Sequence, residues 1–129
     1  MISLRKETEY AIQFIQYLSK NKNKCCSLKI FAEKSKISFY FMQKIARKLS
    51  QNNIIMASHG VSGGYALKAP NYKINLLKIV QVMENGVKLL PCVNSINNCN
   101  RALKRCPVRT MMCKINKKFI TAMNKIDIF

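Results

Sequence analysis

The chain has 129 residues, of which 49% are hydrophobic, so it can bury the core of one domain and is too apolar for a disordered tail. It carries 23 Lys and Arg against five Asp and Glu, a formal net charge of +18, which predicts a polyanionic partner. The alternatives are a merely solvated basic surface, a compositional drift toward Lys, Asn and Ile, and a membrane surface as the anionic partner. No apolar run approaches the about 20 residues of a membrane span, and the first residues lack the apolar stretch of a signal peptide, so we expect a cytoplasmic protein.

Three helices are predicted for the first 50 residues, because apolar residues recur there at helical spacing. The first covers residues 7–19, and Ser27 and Ser38 have side chains that can cap a second and a third. One face of the third helix is apolar: Met42, Ile45 and Leu49. Another face is polar and basic: Tyr40, Gln43, Lys44 and Arg47. A short helix, a tight turn at 34–37 and a helix with a basic face are typical of a helix-turn-helix unit.

Two short alternating stretches, Ile54 to Ala57 and Tyr65 to Lys68, predict a β-hairpin wing. The loop between them holds three of the four glycines: Gly60, Gly63 and Gly64. Glycine permits a close approach to a phosphate backbone, although a turn that simply needs glycine is the better explanation for any one of them. A fourth helix is predicted to begin at Asn75 and to end at Gly86.

Four of the six cysteines recur at intervals of seven: Cys92, Cys99, Cys106 and Cys113. On one helix such residues would lie about 10.5 Å apart, whereas thiolates on one zinc ion are at most about 4.6 Å apart. Pro91, Pro107 and an Asn-rich stretch instead predict a folded-back loop. Three thiols on one cytoplasmic loop favour a metal centre over inert packing. The adjacent Cys25 and Cys26 are expected to be packing or solvent-exposed residues.

A fifth helix is predicted to begin at Pro107 and to carry an apolar stripe. The stripe is formed by Val108, Met111, Met112, Ile115, Phe119, Met123 and Ile126. Cys113 would lie about 9 Å along this helix from Cys106, so we interpret it as a helix-surface or interface residue. The stripe exceeds what so small a core absorbs, which predicts a homodimer contact; the alternative is that it folds back on its own domain.

Three stretches resemble the Rrf-type winged-helix transcriptional regulators: "ISFYFMQKIARKLSQNNIIMASHGVSGGYAL", the three-cysteine loop, and "CPVRTMMCKINKKFITAMNKIDI". The resemblance covers nearly the whole chain. It implies a mainly α fold, with a DNA-binding winged helix-turn-helix at residues 1–86. A cysteine loop and a long dimerisation helix follow at 87–129 within the same compact unit. It further implies a dimeric bacterial repressor, associated with the nucleoid, whose partner is double-stranded DNA and not a membrane or a small-molecule substrate.

The resemblance also implies that Cys92, Cys99 and Cys106 hold an iron–sulfur cluster, in two-iron or four-iron form, whose loss or modification changes DNA binding. The fourth ligand differs between branches of the family. IscR-like proteins carry a His three residues after the last loop cysteine, where this chain has Arg109, which cannot ligate iron. NsrR-like proteins use a carboxylate from the partner's first helix, and the matching residue here is Glu9. An exposed Glu favoured by the helix dipole explains Glu9 equally well.

Further departures from the family pattern concern DNA contacts, which the resemblance places at Ser38, along the third helix, and at His59, Gly60 and Gly63 of the wing. His59 stands where the family usually has Arg, and "VSGGY" replaces "PGGGY", so the minor-groove contact is weaker and pH-dependent. Gln43 stands where IscR-like proteins carry Glu. The operator should therefore differ from theirs, because Gln pairs with adenine whereas Glu accepts from cytosine.

Three alternatives stay open for the function. They are a zinc-binding winged-helix regulator, a clusterless regulator controlled by a partner protein or small ligand, and an RNA-binding winged helix. An enzyme is not expected, because the only His is His59 in the predicted wing and no nucleophile–base or phosphate-loop pattern occurs.

Overall fold

The fold is mainly helical with one antiparallel hairpin, as predicted. A computed structural model describes residues 3–22, 24–68, 74–93 and 106–129. In chain order its elements are α1 (Lys6–Lys20), α2 (Leu28–Ser35), α3 (Phe39–Gln51), β1 (Ile55–Ser58), β2 (Gly64–Leu67), α4 (Leu76–Glu84), a 3-10 turn at Pro91–Val93 and α5 (Pro107–Asn124). Within the described ranges, no helix has the length and hydropathy needed to cross a membrane.

The helix starts follow the capping residues predicted from the sequence. The Ser27 and Ser38 side chains each accept a hydrogen bond from a backbone N–H three residues later, at 3.4 Å. Asn75 accepts from Lys78 N at 3.0 Å, and Pro107 is the first residue of α5. These contacts satisfy backbone donors that a helix start leaves free, which fixes where each helix begins.

The core lies where α1, α2, α3 and α4 meet the hairpin. Its largest members with almost no solvent exposure are Phe14, Ile15, Met42, Ile45, Leu49, Ile54, Ile55, Ile74, Ile79 and Met83. Phe14 and Phe31 pack with ring centroids 4.9 Å apart and so join α1 to α2. Each fully buried side chain of this size contributes about 1.5–3 kcal/mol. The predicted apolar face of α3 is therefore the face that holds the helix-turn-helix unit together.

The hairpin consists of two paired strands, and the second strand also pairs with the backbone of Cys26. Its strands pair from Ile55 with Leu67 to Ser58 with Gly64, one residue away from the predicted bounds. The backbone of Cys26 also exchanges two hydrogen bonds with Tyr65, at 2.8 and 2.9 Å. Burial, and to a lesser extent the neighbouring Cys25, raises the pKa of the Cys26 thiol, in agreement with the packing role expected for it.

Two of the wing glycines are required by the fold itself. A Cβ on Gly64, whose φ is +151°, would lie 2.4 Å from the Cys26 carbonyl oxygen. A Cβ on Gly63 would lie 2.5 Å from the Ser58 carbonyl oxygen. Gly60 has a φ of +112° with open space around its Cα, so only its backbone conformation favours glycine.

The ends of α4 and α5 differ slightly from the prediction. Asn85, with a φ of 59°, is the left-handed residue that ends α4, and Gly86 follows it with a φ of +105°. α5 ends at Asn124, so Ile126 lies beyond the helix rather than on its stripe. The segment after α5 returns to the core, where Ile128 is buried and its carbonyl accepts from Gln16 Nε2 at 2.6 Å.

Candidate functional site

The outer face of α3 carries the predicted polar residues in an exposed row. Tyr40, Gln43, Lys44 and Arg47 are all exposed, whereas the opposite face is buried. Lys44 Nζ lies 4.7 Å from the centre of the Tyr40 ring. This cation–π contact holds the ammonium group beside the N-terminal turn of α3. Ser38, also predicted to bind DNA, is exposed and uses its side-chain oxygen to cap the helix.

A groove lies between α3 and the hairpin, so that both predicted binding elements line one surface. It has a volume of about 300 Å³ and is lined by Gln43, Arg47, Ser50, Gln51, Ala57 and Tyr65. His59 and Gly60 are exposed in the hairpin loop, and Gly63 is half-buried. The sequence interpretation missed Ser50 and Gln51, although their spacing of three and four residues from Arg47 places them on the same face.

The C-terminal end of α4 is held by a polar cluster at the start of α1. The Glu84 carboxylate accepts from the backbone N of Arg5 at 2.9 Å, from Arg5 Nε at 3.0 Å, and from the Thr8 hydroxyl. Partial burial alone would raise the pKa of the Glu84 carboxyl, but the hydrogen bonds from Thr8 and Arg5 outweigh burial and hold it below its ordinary value. The neighbouring Met83 carbonyl accepts from Lys48 Nζ on α3 at 3.5 Å.

Two of the predicted cluster ligands lie near the N-terminal end of α5. Cys92 lies in the 3-10 turn Pro91–Val93, which we call the Cys92 turn, and Cys106 is the residue before α5. Both are partly buried, and both are free thiols. Arg109 Nε donates to the Cys92 carbonyl oxygen at 2.8 Å, which places the Cys92 turn against the first turn of α5. Cys99 lies outside the described residues.

Cys113 and Glu9 occupy different environments. The Cys113 thiol is partly buried and lies 3.7 Å from the Val93 carbonyl oxygen, so it faces the Cys92 turn. Glu9 is exposed on the first turns of α1, where its carboxylate accepts from Lys6 Nζ at 2.8 Å and from Gln13 Nε2 at 3.3 Å. The hydrogen bond and charge of Glu9 raise the pKa of Lys6.

The donor set fits an iron–sulfur cluster in its chemistry, since thiolates are the usual ligands of such clusters. Among residues 3–22, 24–68, 74–93 and 106–129, no three His, Cys, Asp or Glu side chains are grouped closely enough to hold a metal ion. The predicted set includes Cys99, which is outside these ranges, and Glu9, which was predicted to come from the other protomer. The prediction that these four residues hold a cluster therefore stays a prediction.

The sequence matches one family model and is similar to individual proteins. A family model described as "Rrf2: Iron-dependent Transcriptional regulator" matches residues 4–128. NsrR of Shouchella clausii is 28% identical over 98 residues, which cover 75% of this chain and 66% of that relative. Protein aau3 of Rhizobium meliloti is 28% identical over 89 residues, or 69% of this chain and 58% of the relative. The matched part of the chain thus spans about three-fifths to two-thirds of the length of these two relatives.

Solved structures share the fold. The chain resembles CymR, described as the global cysteine regulator of B. subtilis, with a TM-score of 0.78 and 17% identity over 99% of this chain and 94% of that one. It resembles T. potens IscR with a TM-score of 0.75 and 18% identity over 98% and 83%. The predicted winged-helix fold is confirmed, and the family consists of transcriptional regulators rather than enzymes, as expected. The chain belongs to the Rrf2 family of transcriptional regulators.

Proposed function

We propose that the protein is a homodimeric, DNA-binding repressor of the bacterial cytoplasm and nucleoid that senses redox state, nitric oxide or iron–sulfur status through a cluster. The observation that carries the DNA-binding part is the exposed row Tyr40, Gln43, Lys44 and Arg47 beside the groove that separates α3 from the hairpin. Neither a membrane nor a small-molecule substrate enters the proposal.

The row on α3 has the chemistry of a major-groove reader. Gln43 can form two hydrogen bonds with adenine, and Arg47 can contact guanine or phosphate. Lys44, held over Tyr40, is placed for a phosphate contact. The hairpin loop with His59 would then follow the backbone on one side of the groove. The formal charge of +18 supplies the long-range attraction that steers such a protein to DNA.

The exposed apolar residues of α5 support the dimer. Val108, Met111 and Phe119 are 50%, 51% and 41% exposed, although they are large and apolar. At 100° per residue they fall in one sector of the helix, so they can be covered together by a second copy. A two-fold dimer would present two α3 helices, which matches a roughly palindromic operator with half-sites one helical turn apart or a multiple of it.

DNA binding is tested by titrating duplexes selected from a random pool, at several salt concentrations. We expect Gln43→Ala to change the sequence preference, and Lys44→Ala to weaken binding to all sequences and to flatten the salt dependence by about one unit of slope. Lys117→Ala, at an exposed lysine of α5, is the matched charge control and should have little effect. If Gln43→Ala weakens binding equally for every sequence, its role as a base reader is wrong. Tighter binding to structured RNA than to duplex at equal salt would favour the RNA-binding alternative.

The cluster would be held by Cys92, Cys99 and Cys106, with Glu9 contributed by the other protomer. Such a cluster supplies a centre that oxidants or nitric oxide can modify, with a consequent change in DNA affinity. The chain's own part is to place thiols around the start of α5, where Arg109 holds the Cys92 turn. Arg109 cannot itself be a ligand, because a guanidinium has no lone pair to offer.

Anaerobic purification with absorption spectra and iron, sulfide and zinc analysis tests the cluster. Wild type should be coloured, and Ser substitution of Cys92, Cys99 or Cys106 should each remove most of the colour, whereas Cys113→Ser should keep it. A colourless protein that contains zinc would favour the zinc-binding alternative. A colourless, metal-free protein would favour a clusterless regulator controlled by a partner protein or small ligand.

A further inference from the structure

The segment from Val87 to Val93 lies along one face of α5 and is attached to it by side chains. Three residues of α5 make these contacts, at spacings of four and three residues: Arg109, Cys113 and Asn116. Residues with this spacing lie above one another on a helix surface. We call this set the α5 ladder.

Asn116 is the ladder residue furthest from the N-terminus of α5 and the most deeply buried of the three. It is 4% exposed and is the one buried residue of α5, all of whose residues are described. Its amide nitrogen donates to the Val87 carbonyl at 3.1 Å, and its amide oxygen accepts from the Leu89 backbone N–H at 3.3 Å. An apolar side chain of the same size would leave both backbone groups without these partners.

The other two ladder residues, Arg109 and Cys113, make their contacts nearer the start of α5. The Cys113 thiol faces the Val93 carbonyl at 3.7 Å, and Arg109 Nε donates to the Cys92 carbonyl at 2.8 Å. Val87 and Leu89 contact Asn116, whereas the later residues Cys92 and Val93 contact α5 nearer its N-terminus, so the segment runs broadly antiparallel to α5. The ladder therefore carries Cys92 toward the end of α5 where Cys106 stands.

We propose that Asn116 and Arg109 are positioning residues that fix Cys92 relative to Cys106. The position of Cys92 is then set by residues that are not ligands, and a thiol held in place before ligation loses less freedom when it binds. Arg109 suits this role because its planar guanidinium donates in a fixed direction, whereas a lysine amine rotates freely. The consequence for a cluster rests on the proposed function, but the positioning of Cys92 does not.

The first test uses the full-length, cluster-free protein under reducing conditions. We expect Asn116→Leu to increase the exchange rate of the Leu89 amide hydrogen by at least about fivefold, because the loss of a typical hydrogen bond corresponds to such a factor. The alkylation rate of Cys92 should increase by a similar factor. Arg109→Lys, which keeps the charge and is a milder change if Asn116→Leu does not fold, should also speed alkylation of Cys92. Lys117→Leu places the same new side chain on the next, exposed residue and should change neither rate. Unchanged alkylation of Cys92 in both ladder variants would overturn the proposal.

The second test measures iron release to a chelator from the anaerobic, cluster-loaded protein. Both ladder variants should lose iron faster than wild type by at least about fivefold. Ile79→Val, a core change on α4, serves as the control for a general loss of stability, and the variants are compared at equal distance below their Tm. Iron release equal to that of Ile79→Val would overturn the positioning role. If wild type takes up no iron, the proposed cluster fails, and alkylation of Cys92 in the cluster-free protein still decides the positioning of that thiol.

Discussion

Glu84→Gln should destabilise the protein more than any comparable change at an exposed acid. The Glu84 side chain is 17% exposed, and its carboxylate accepts from two nitrogens of Arg5 and from the Thr8 hydroxyl. Gln retains one oxygen acceptor but points an NH₂ group at donors. Hydrogen bonds to charged groups contribute about 1.5–3 kcal/mol each, so a net loss of about 2 kcal/mol is a conservative expectation.

This loss corresponds to a measurable shift in Tm. An unfolding entropy of about 2.1 cal/mol/K per residue amounts to about 0.27 kcal/mol/K for this chain, so about 2 kcal/mol lowers the Tm by about 7 °C. Thermal melts followed by circular dichroism measure the shift. They are compared at equal protein concentration, since the proposed dimerisation would make the Tm concentration-dependent. Glu7→Gln is the matched control, because Glu7 pairs with the same Arg5 at 3.3 Å but with a 30% exposed side chain. That variant should lose no more than about 0.5 kcal/mol.

The pH dependence has a definite sign. The folded-state pKa of Glu84 is depressed, so its contribution to stability is fully present above the pKa of the unfolded chain, about 4.5, and is lost as pH falls through the folded-state value. The Tm difference between wild type and Glu84→Gln should therefore be largest at neutral pH and should shrink below about pH 4.5. A Tm within about 1 °C of wild type at pH 7, or a difference that grows in acid, would refute the assigned role of the Arg5–Glu84 contact.

The remaining predictions concern the wing, α3 and the fourth ligand. Gly64→Ala should lower the free energy of unfolding by at least about 2 kcal/mol because its Cβ would meet the Cys26 carbonyl, whereas Gly60→Ala should lower it by about 1 kcal/mol. Denaturant melts compare the two variants, and equal losses would contradict the steric argument. Tyr40→Leu should weaken DNA binding about two- to fivefold by releasing Lys44, and an unchanged Kd would show that the cation–π contact has no role in binding. Glu9→Ala should make the cluster decay faster under anaerobic conditions and narrow the difference in operator affinity between cluster-loaded and cluster-free protein; a wild-type decay rate would remove Glu9 from the site.

The helix starts and the buried faces could be read from the sequence because local interactions determine them. Ser27, Ser38 and Asn75 each cap the helix that directly follows them, and those contacts reach only three residues along the chain. The apolar spacing of α3 likewise predicts which face is buried. A signal within one turn of helix needs no knowledge of the tertiary arrangement.

The contacts that shape the cysteine region could not be read in this way. Asn116 follows a Cys, a Lys and an Ile in a basic helix, and an Asn in such a place is ordinarily a solvent-exposed residue. It is buried because Val87 and Leu89 pass over it, and nothing in the local sequence fixes that crossing. The role of Glu84 has no local signal either, because its partner Arg5 is 79 positions away in the chain.

The apolar stripe of α5 is subject to the same limit. Its spacing gives a long apolar sector, but spacing alone cannot say which part faces the core. In the structure Met112 and Met123 are partly buried, whereas Met111 and Phe119 are exposed. Part of the sector therefore packs on the chain's own fold, and the exposed part is the surface that the proposed dimer would cover. The homodimer contact itself stays a prediction.

The C-terminal end of α4 is hydrogen-bonded to α3, and the segment that follows it is hydrogen-bonded to α5. The Met83 carbonyl accepts from Lys48 of α3, and Val87, four residues later, accepts from Asn116 of α5. A displacement of the Cys92 turn has two outcomes. In the first, the contacts of the α5 ladder break and the displacement stays local. In the second, the ladder holds and the displacement moves the end of α4. By this route the second outcome reaches α3, because Lys48 donates directly to the Met83 carbonyl at that end. A firm ladder is therefore a requirement for any switch that links the cysteines to DNA along this route, whatever group the cysteines hold.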